Sequence, residues 1–198
     1  MFFSDAEGVI HREFVPEGQK VNAELYVGVL DRLLKRIRRV RTAKFQPNEW
    51  FLLHDNAPSH NAAIVKKFLA NRNVAVLHHP PNSSDLAPAD YFLFRKLKFS
   101  LKGRNFRRVE EIHFAVTREL NNISKTAFLE GTKKLKERAK KNVLIKEECI
   151  LKNKNKSCPY KKLSVFYNSC LKTFGSHLAL RVKEQRNILN EISKGRLN

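Results

Sequence analysis

Residues 50–94 read WFLLHDNAPSHNAAIVKKFLANRNVAVLHHPPNSSDLAPADYFLF, and the rest of the chain is read outward from them. Trp50 to Leu53 is a short apolar run that stops at His54-Asp55-Asn56-Ala57-Pro58, where Asn and Pro end a buried strand. Asp55 therefore sits at a strand exit. Ser59 or Asn61 caps a predicted helix whose apolar positions Ile64, Val65, Phe68 and Leu69 recur at helical spacing, and Val74 to Leu77 reads as a second strand. After the turn-rich HHPPNSS, Ala87 to Leu101 reads as a helix with Pro88 and Asp90 in its first turn. Asp90 thus opens a helix beside the strand ends.

Ligands gather at the carboxyl ends of parallel strands, and two carboxylates there can share hard divalent cations. Two-metal phosphoryl transfer needs that arrangement, with metals roughly 3.5 to 4 Å apart, one at the attacking oxygen and one at the leaving oxygen. On spacing alone a plainer reading stands beside it, in which Asp55 caps the following helix and Asp90 complements a helix dipole.

HDNAPSH followed by HPPNSSDLAPADYFLF resembles the core signature of mariner family transposases, in which such a segment carries the second and third carboxylates of the catalytic triad. The family spaces them by thirty-four residues, and thirty-four separate Asp55 from Asp90. The resemblance implies catalytic and metal-ligating roles for Asp55 and Asp90, with Mg²⁺ or Mn²⁺ as cofactor; Asp85 matches a family Asp that is not a ligand. It runs from about Phe2 through Leu135, with GVIHREFVPEGQKVNAELY before the core and LKGRNFRRVEEIHFAVTREL after it. The implied fold is α/β, a ribonuclease H-like mixed sheet flanked by helices. Relatives place their first catalytic Asp on a central strand ahead of the hairpin that opens this chain, so the expectation is a domain lacking that strand, with strand edges left unpaired unless another segment fills the gap. Asp5 is a turn residue and no substitute. The family's end-reading helix-turn-helix is likewise expected to be absent.

The 198 residues carry 39 Lys and Arg against 19 Asp and Glu, a formal charge of +20, which favours a polyanionic partner. Nucleic acid leads, bound largely without sequence preference. A membrane is disfavoured because no run of eighteen apolar residues and no leader pattern occurs. The resemblance adds a nuclear location and a homodimer. Cys149, Cys158 and Cys170 form no CxxC pair and read as free thiols. His54, His60, His78 and His79 crowd the core stretch, but their oxygen-rich neighbours and the adjoining turn make zinc the weaker reading.

Along the chain, Met1 to Phe3 and Val9 to Val15 form a hairpin around Ser4–Gly8. Asn22 caps a helix to about Arg41 whose face is Leu25, Val29, Leu30, Leu33 and Ile37. Its cations, Arg32, Lys35, Arg36, Arg38, Arg39 and Arg41, read as a solvated face, with phosphate contact as the alternative. Arg95, Lys98, Lys102, Arg104, Arg107 and Arg108 lie on or just after the helix bearing Asp90, around a C-capping Gly103, and are the candidate DNA contacts. Val109 to Leu120 is a packing helix through Ile112, Val116 and Leu120, and Ser124 caps another with Phe128, Leu129 and Leu135. The domain is expected to span 1–141. Residues 142–198 read as a divergent basic tail, mostly helical or irregular, with a short helix over Leu180 to Ile192.

Two functions follow. One is metal-dependent DNA cleavage and strand transfer, as in intact relatives, silent here for want of the first Asp. The other is a non-catalytic nucleic-acid-binding remnant or decayed transposon product.

Overall fold

Alternation along one short strand decides which helix covers which side of the sheet. In the computed structural model, which describes residues 1–16, 18–42, 50–80, 83–152 and 179–182, strand β3 spans Phe51–His54 and strand β4 spans Ala75–His78. They pair in parallel with Leu52 level with Val76 and Leu53 level with Leu77. Because side chains alternate across a strand, Leu52 and Val76 face one way and Leu53 and Leu77 the other. The first pair joins a core with helix α1 (Ala23–Val40) and helix α3 (Ala63–Asn71). The second joins Leu86, Leu135 and Ala139, so that helix α6 (Lys125–Lys152) covers the opposite face.

The hairpin is as expected in kind: β1 (Phe2–Asp5) pairs antiparallel with β2 (Gly8–Arg12), with a register shift between Phe3 and Ser4. Arg41 forks onto Asp5, its Nε at 2.8 Å from Oδ2 and an Nη at 3.2 Å from Oδ1, while the Glu7 amide donates to Oδ1 at 2.8 Å. The buried Asp5 carboxylate is thus fully occupied in locking the end of α1 to the hairpin turn.

Helix α1 starts where Asn22 predicts, since the Asn22 side chain accepts from the Leu25 amide at 2.9 Å. Its buried face is Tyr26, Val29, Leu30, Leu33, Leu34 and Ile37. Tyr26 and Leu34 widen the expected stripe, and Leu25 lies only partly buried at its margin. Neither Ser59 nor Asn61 caps α3. Pro58 begins a separate turn, α2 (Pro58–Asn61), and the chain straightens at Ala62, which precedes α3 without a side-chain cap. That break rotates the helix, leaving Val65 and Leu69 buried and Ile64 46% exposed. Helix α3 ends in a Schellman closure: the Val74 amide donates to Leu69 O, the Asn73 amide to Ala70 O, and Asn73 takes φ of 53°.

Beyond β4 a 3₁₀ turn (Ser84–Leu86) leads into a π-helix (Ala89–Phe94) and then α4 (Arg95–Leu101), where a single α-helix over 87–101 is the sequence expectation. Helix α5 (Val109–Asn122) buries Ile112, Val116 and Leu120 as predicted. The Ser124 hydroxyl accepts from the Ala127 amide at 3.3 Å at the start of α6, where Phe128 and Leu135 are buried but Leu129 is 43% exposed. Phe2, Phe94, Leu97, Leu101 and the buried face of α5 form a second core.

The largest departure lies at the far end of the chain. Residues Ala179–Val182 form strand β5, parallel to β3, with Ala179 level with Phe51 and Val182 level with His54. Leu180 therefore enters a strand and not the expected helix. Strand β5 also lies close to β1, but the hairpin β1-β2 and the strands in the order β4-β3-β5 form separate sheets, so β5 pairs along the edge of β3 away from β4. Pairing with the N–H and C=O groups along the edge of β3 outweighs local helical preference, because leaving such groups unpaired costs more than a turn of helix returns. Helix α6 runs through residue 142 without a break. Cys158, Cys170 and most of the tail beyond 152 lie outside the described residues, as does the side chain of Cys149.

Candidate active site

Asp55 follows directly on β3, and its carboxylate is gripped by its own neighbourhood. Oδ1 accepts from the Ala57 amide at 3.1 Å and from His60 Nδ1 at 2.6 Å. An ionised carboxylate only accepts, so the proton lies on His60 Nδ1. The His60 side chain is fully buried while that of Asp55 is 27% exposed, which leaves the carboxylate reachable from solvent. Tyr26 of α1 lies over His60 with ring centroids 4.0 Å apart, and the His54 and His60 rings are nearly coplanar in orientation, 7° apart, at 5.5 Å. Tyr26 Oη and His54 Nδ1 share a hydrogen bond of 3.1 Å. Burial, reinforced by the Asp55 charge, pushes the Tyr26 phenol well above its ordinary value.

These three rings are what the sequence reading missed. His54 and His60, weighed there only as zinc ligands, form a buried stack behind the carboxylate. A signal existed: His60 follows Asp55 across a Pro turn that folds it back, and Tyr26 shares the spacing of Val29, Leu30 and Leu33.

Asp90 lies in the first turn of the π-helix, its amide donating to Ala87 O at 2.8 Å. Insertions of this kind recur at functional sites because they redirect a side chain without ending the helix. The segment is clamped from behind by α6. Tyr91 Oη donates to Gly131 O at 2.7 Å, the Arg138 guanidinium lies 4.3 Å from the Tyr91 ring centroid, and an Arg138 Nη donates to Asp85 O at 3.2 Å. A Cβ on Gly131 would stand 2.8 Å from ring carbons of Phe92, so only glycine permits this approach. Asp85 itself is exposed.

Two contacts tie the Asp55 and Asp90 segments to the same end of the sheet. Asn56 Nδ2 donates to His79 O at 2.8 Å, holding the exits of β3 and β4 side by side. Leu86, four residues ahead of Asp90, packs with Leu53 and Leu77 at those exits. Hard carboxylate oxygens at partly exposed positions are the donor chemistry that Mg²⁺ or Mn²⁺ prefers. Among the described residues no group of three or more His, Cys, Asp or Glu side chains is placed to hold a metal ion.

Of the six candidate DNA contacts, Arg95 and Lys98 lie on α4, and Lys102, Arg104, Arg107 and Arg108 at its end and in the loop after it. Arg95, Lys102, Arg104, Arg107 and Arg108 are exposed and Lys98 is half-buried. Gly103, with φ of 76°, ends α4 as predicted. Arg104 pairs with Glu119 at 3.3 Å and Arg108 with Glu111 at 3.6 Å. No helix among the described residues is long and apolar enough to cross a membrane.

Residues 9–113 match the DDE superfamily endonuclease family. The mariner Mos1 transposase of Drosophila mauritiana is 37% identical over 110 residues, which are 54% of this chain and 32% of that protein. Histone-lysine N-methyltransferase SETMAR of Homo sapiens is 30% identical over 138 residues, 70% of this chain and 20% of that protein. The chain thus spans between a fifth and a third of the length of these relatives. The crystal structure of the Mos1 mariner transposase catalytic domain superposes with a TM-score of 0.63 at 36% identity, over 67% of this chain and 66% of that one. The Mos1 paired end complex with Mn gives 0.67 at 35% identity, over 71% of this chain and 41% of that one. Mos1 catalytic-domain structures are also known with Raltegravir and Mg or Mn. With a family match over more than half its length and this likeness in sequence and fold, the chain belongs to the DDE superfamily endonucleases as a mariner-type transposase catalytic domain.

Proposed function

We propose that this ribonuclease H-like domain descends from an enzyme that cleaves and joins DNA, with Asp55 and Asp90 as the second and third carboxylates of its metal site, and that the 198 residues alone hold DNA without cutting it. The observation that carries the reading is the placement of Asp55 at the exit of β3 and of Asp90 on a segment fastened to the same strand ends through Leu86. Bound there, Mg²⁺ or Mn²⁺ would polarise a phosphodiester and activate the attacking oxygen. The chain's own residues hold the donors. His60 and the Ala57 amide fix one oxygen of Asp55, and the π-turn with its α6 clamp fixes Asp90.

No third carboxylate is assigned among the 198 residues, and two cannot position a metal pair well; even a small misplacement costs about a hundredfold in rate. A nicking assay on supercoiled plasmid with Mg²⁺ or Mn²⁺ tests this. The chain alone should leave the plasmid intact, and a version extended to provide a third carboxylate on a strand that takes the place of β5 beside β3 should nick it. Asp55→Ala or Asp90→Ala should abolish that gain. Nicking by the unextended chain that both substitutions remove would overturn the inactivity and keep the site; nicking that survives them would overturn the site.

The charge of +20 favours a second reading, a nucleic-acid-binding product with no catalysis in any form. In both readings Arg95, Lys98, Lys102, Arg104, Arg107 and Arg108 contact phosphates, binding is largely independent of sequence, and the chain acts in the nucleus, as a homodimer if it assembles like its relatives.

A further inference from the structure

The strongest unassigned feature is a groove of about 580 Å³ between β2 and α1. Arg12 of β2 lines one wall and Arg32, Lys35, Arg36 and Arg39 of α1 the other, with Asn121 at the end of α5 closing one side. On α1 the four cations stand at i, i+3, i+4 and i+7, which is one stripe along a helix, about 10 Å long at 1.5 Å per residue. A stripe of one sign with that length matches a chain of anions better than a single one, since successive phosphates of one DNA strand advance about 3.4 Å along the axis.

The acidic neighbours offset Arg32 and Lys35 and leave the other cations of the groove. Glu13 is engaged by Arg32 and His11, and Asp31 by Lys35 at 2.7 Å and Arg72 at 3.4 Å. Arg12 and Arg36 have only neutral partners there, donating to Asn121 Oδ1 at 3.5 Å and Ile10 O at 3.4 Å. Arg39 is exposed and has no acidic partner among the described residues. Three guanidinium groups therefore keep their charge available.

The groove also meets the α4 surface. Asn121 lines it and Asn122, the next residue, lines the depression that holds Arg95 and Lys96. The end of α5 is thus the shared rim of two basic surfaces.

We propose that the β2–α1 groove is a second track for a nucleic-acid phosphate backbone, joined around the end of α5 to the α4 surface, so that one DNA segment engages both. This rests on the DNA-acting reading above and is independent of whether Asp55 and Asp90 bind metal. The test is fluorescence anisotropy of the full chain on two unrelated duplexes of roughly 30 base pairs across a salt series. Arg12→Gln/Arg36→Gln/Arg39→Gln should lower the slope of log K against log salt by about 2.7, at about 0.9 per lost phosphate contact, and weaken binding on the order of a few hundredfold near 0.1 M salt on both duplexes. Lys20→Gln/Lys66→Gln/Lys67→Gln removes the same charge from exposed positions elsewhere and should change binding less than about twofold. Equal losses from both triples would reduce the effect to overall charge and overturn the track. Wild-type binding by the groove triple would overturn it too, leaving the groove as a solvated face or a seat for an acidic protein. Arg39→Gln guards against misfolding, because Arg39 supports no described contact: its slope should fall by about 0.9 with an unchanged melting temperature, and an unchanged slope would sink the proposal. Failure of the metal site would appear in Asp55 and Asp90 variants and leave these slopes untouched.

Discussion

Asp55 and Asp90 are held in opposite ways. Asp55 is fixed by residues within a few positions of it, His60 and the Ala57 amide, backed by one ring from α1. Asp90 is fixed from a distance, through a tyrosine that reaches a helix forty residues further on and a glycine that lets that helix close in. A locally held group follows its strand wherever the strand goes. A remotely held one depends on the whole of α6 docking correctly, so the Asp90 position is the more fragile of the two.

The change that should damage both sides is Leu86→Ala. Leu86 is fully buried and joins the 3₁₀ turn to Leu53 and Leu77, so truncation removes apolar contact and leaves a cavity, at a cost of about 2–5 kcal/mol. Urea unfolding should show it as a lowered midpoint with an unchanged slope.

His60→Ala separates the two. It deletes a part-buried hydrogen bond to a charged group, a loss of about 1.5–3 kcal/mol, and removes the ring packed against Tyr26 and His54. Hydrogen exchange should quicken in α2 and at the exit of β3 while α6 stays protected. Quickening spread equally over α6 would mean that the Asp55 side is not locally held.

Gly131→Ala is the reciprocal test. The new methyl meets the Phe92 ring at 2.8 Å, so the π-turn or α6 must shift, at a cost of about 1–3 kcal/mol. Trp50, the single tryptophan, sits in the core on the other side of the sheet, and its emission should not change. Adding Phe92→Ala should recover part of the loss, a coupling that a double-mutant cycle reads directly.

The same contrast explains what the sequence disclosed. Asp55 at a strand exit, Asn22 and Ser124 as caps and Gly103 as a helix stop are short-range features, each readable from a few residues. The π-turn under Asp90 is not, because it depends on Tyr91 and Phe92 accommodating α6. Strand β5 is the extreme case. ALRV carries no periodicity that distinguishes strand from helix, and what makes it a strand is the open edge of β3, distant in sequence. Ile64 and Leu129 show the lesser version: both lie at helical spacing, and a small rotation set by neighbouring elements leaves each partly in solvent.

The smallest expected effect concerns pH and the helical half alone. His113 of α5 stacks on Phe14, with ring centroids 3.9 Å apart and planes at 24°. Burial pulls its pKa below the ordinary histidine value, only partly countered by Glu110. The folded state therefore takes up this proton less readily than the unfolded chain, whose histidine titrates near about 6.5. Wherever the unfolded state binds more protons, stability rises with pH, so this contribution is present at neutral pH and is lost as pH falls through about 6.5. Glu13 does not enter this window: burial raises its pKa, hydrogen bonds from Arg32 and His11 lower it by more, and it titrates below the ordinary glutamate range. Urea midpoints of the wild type measured between pH of about 7.5 and 5.5 should therefore fall slightly more than those of His113→Phe, which keeps the ring stack and removes the titration. Identical falls would mean that the Phe14 stack does not resist the charge, and a larger fall in the variant would reverse the sign of the argument.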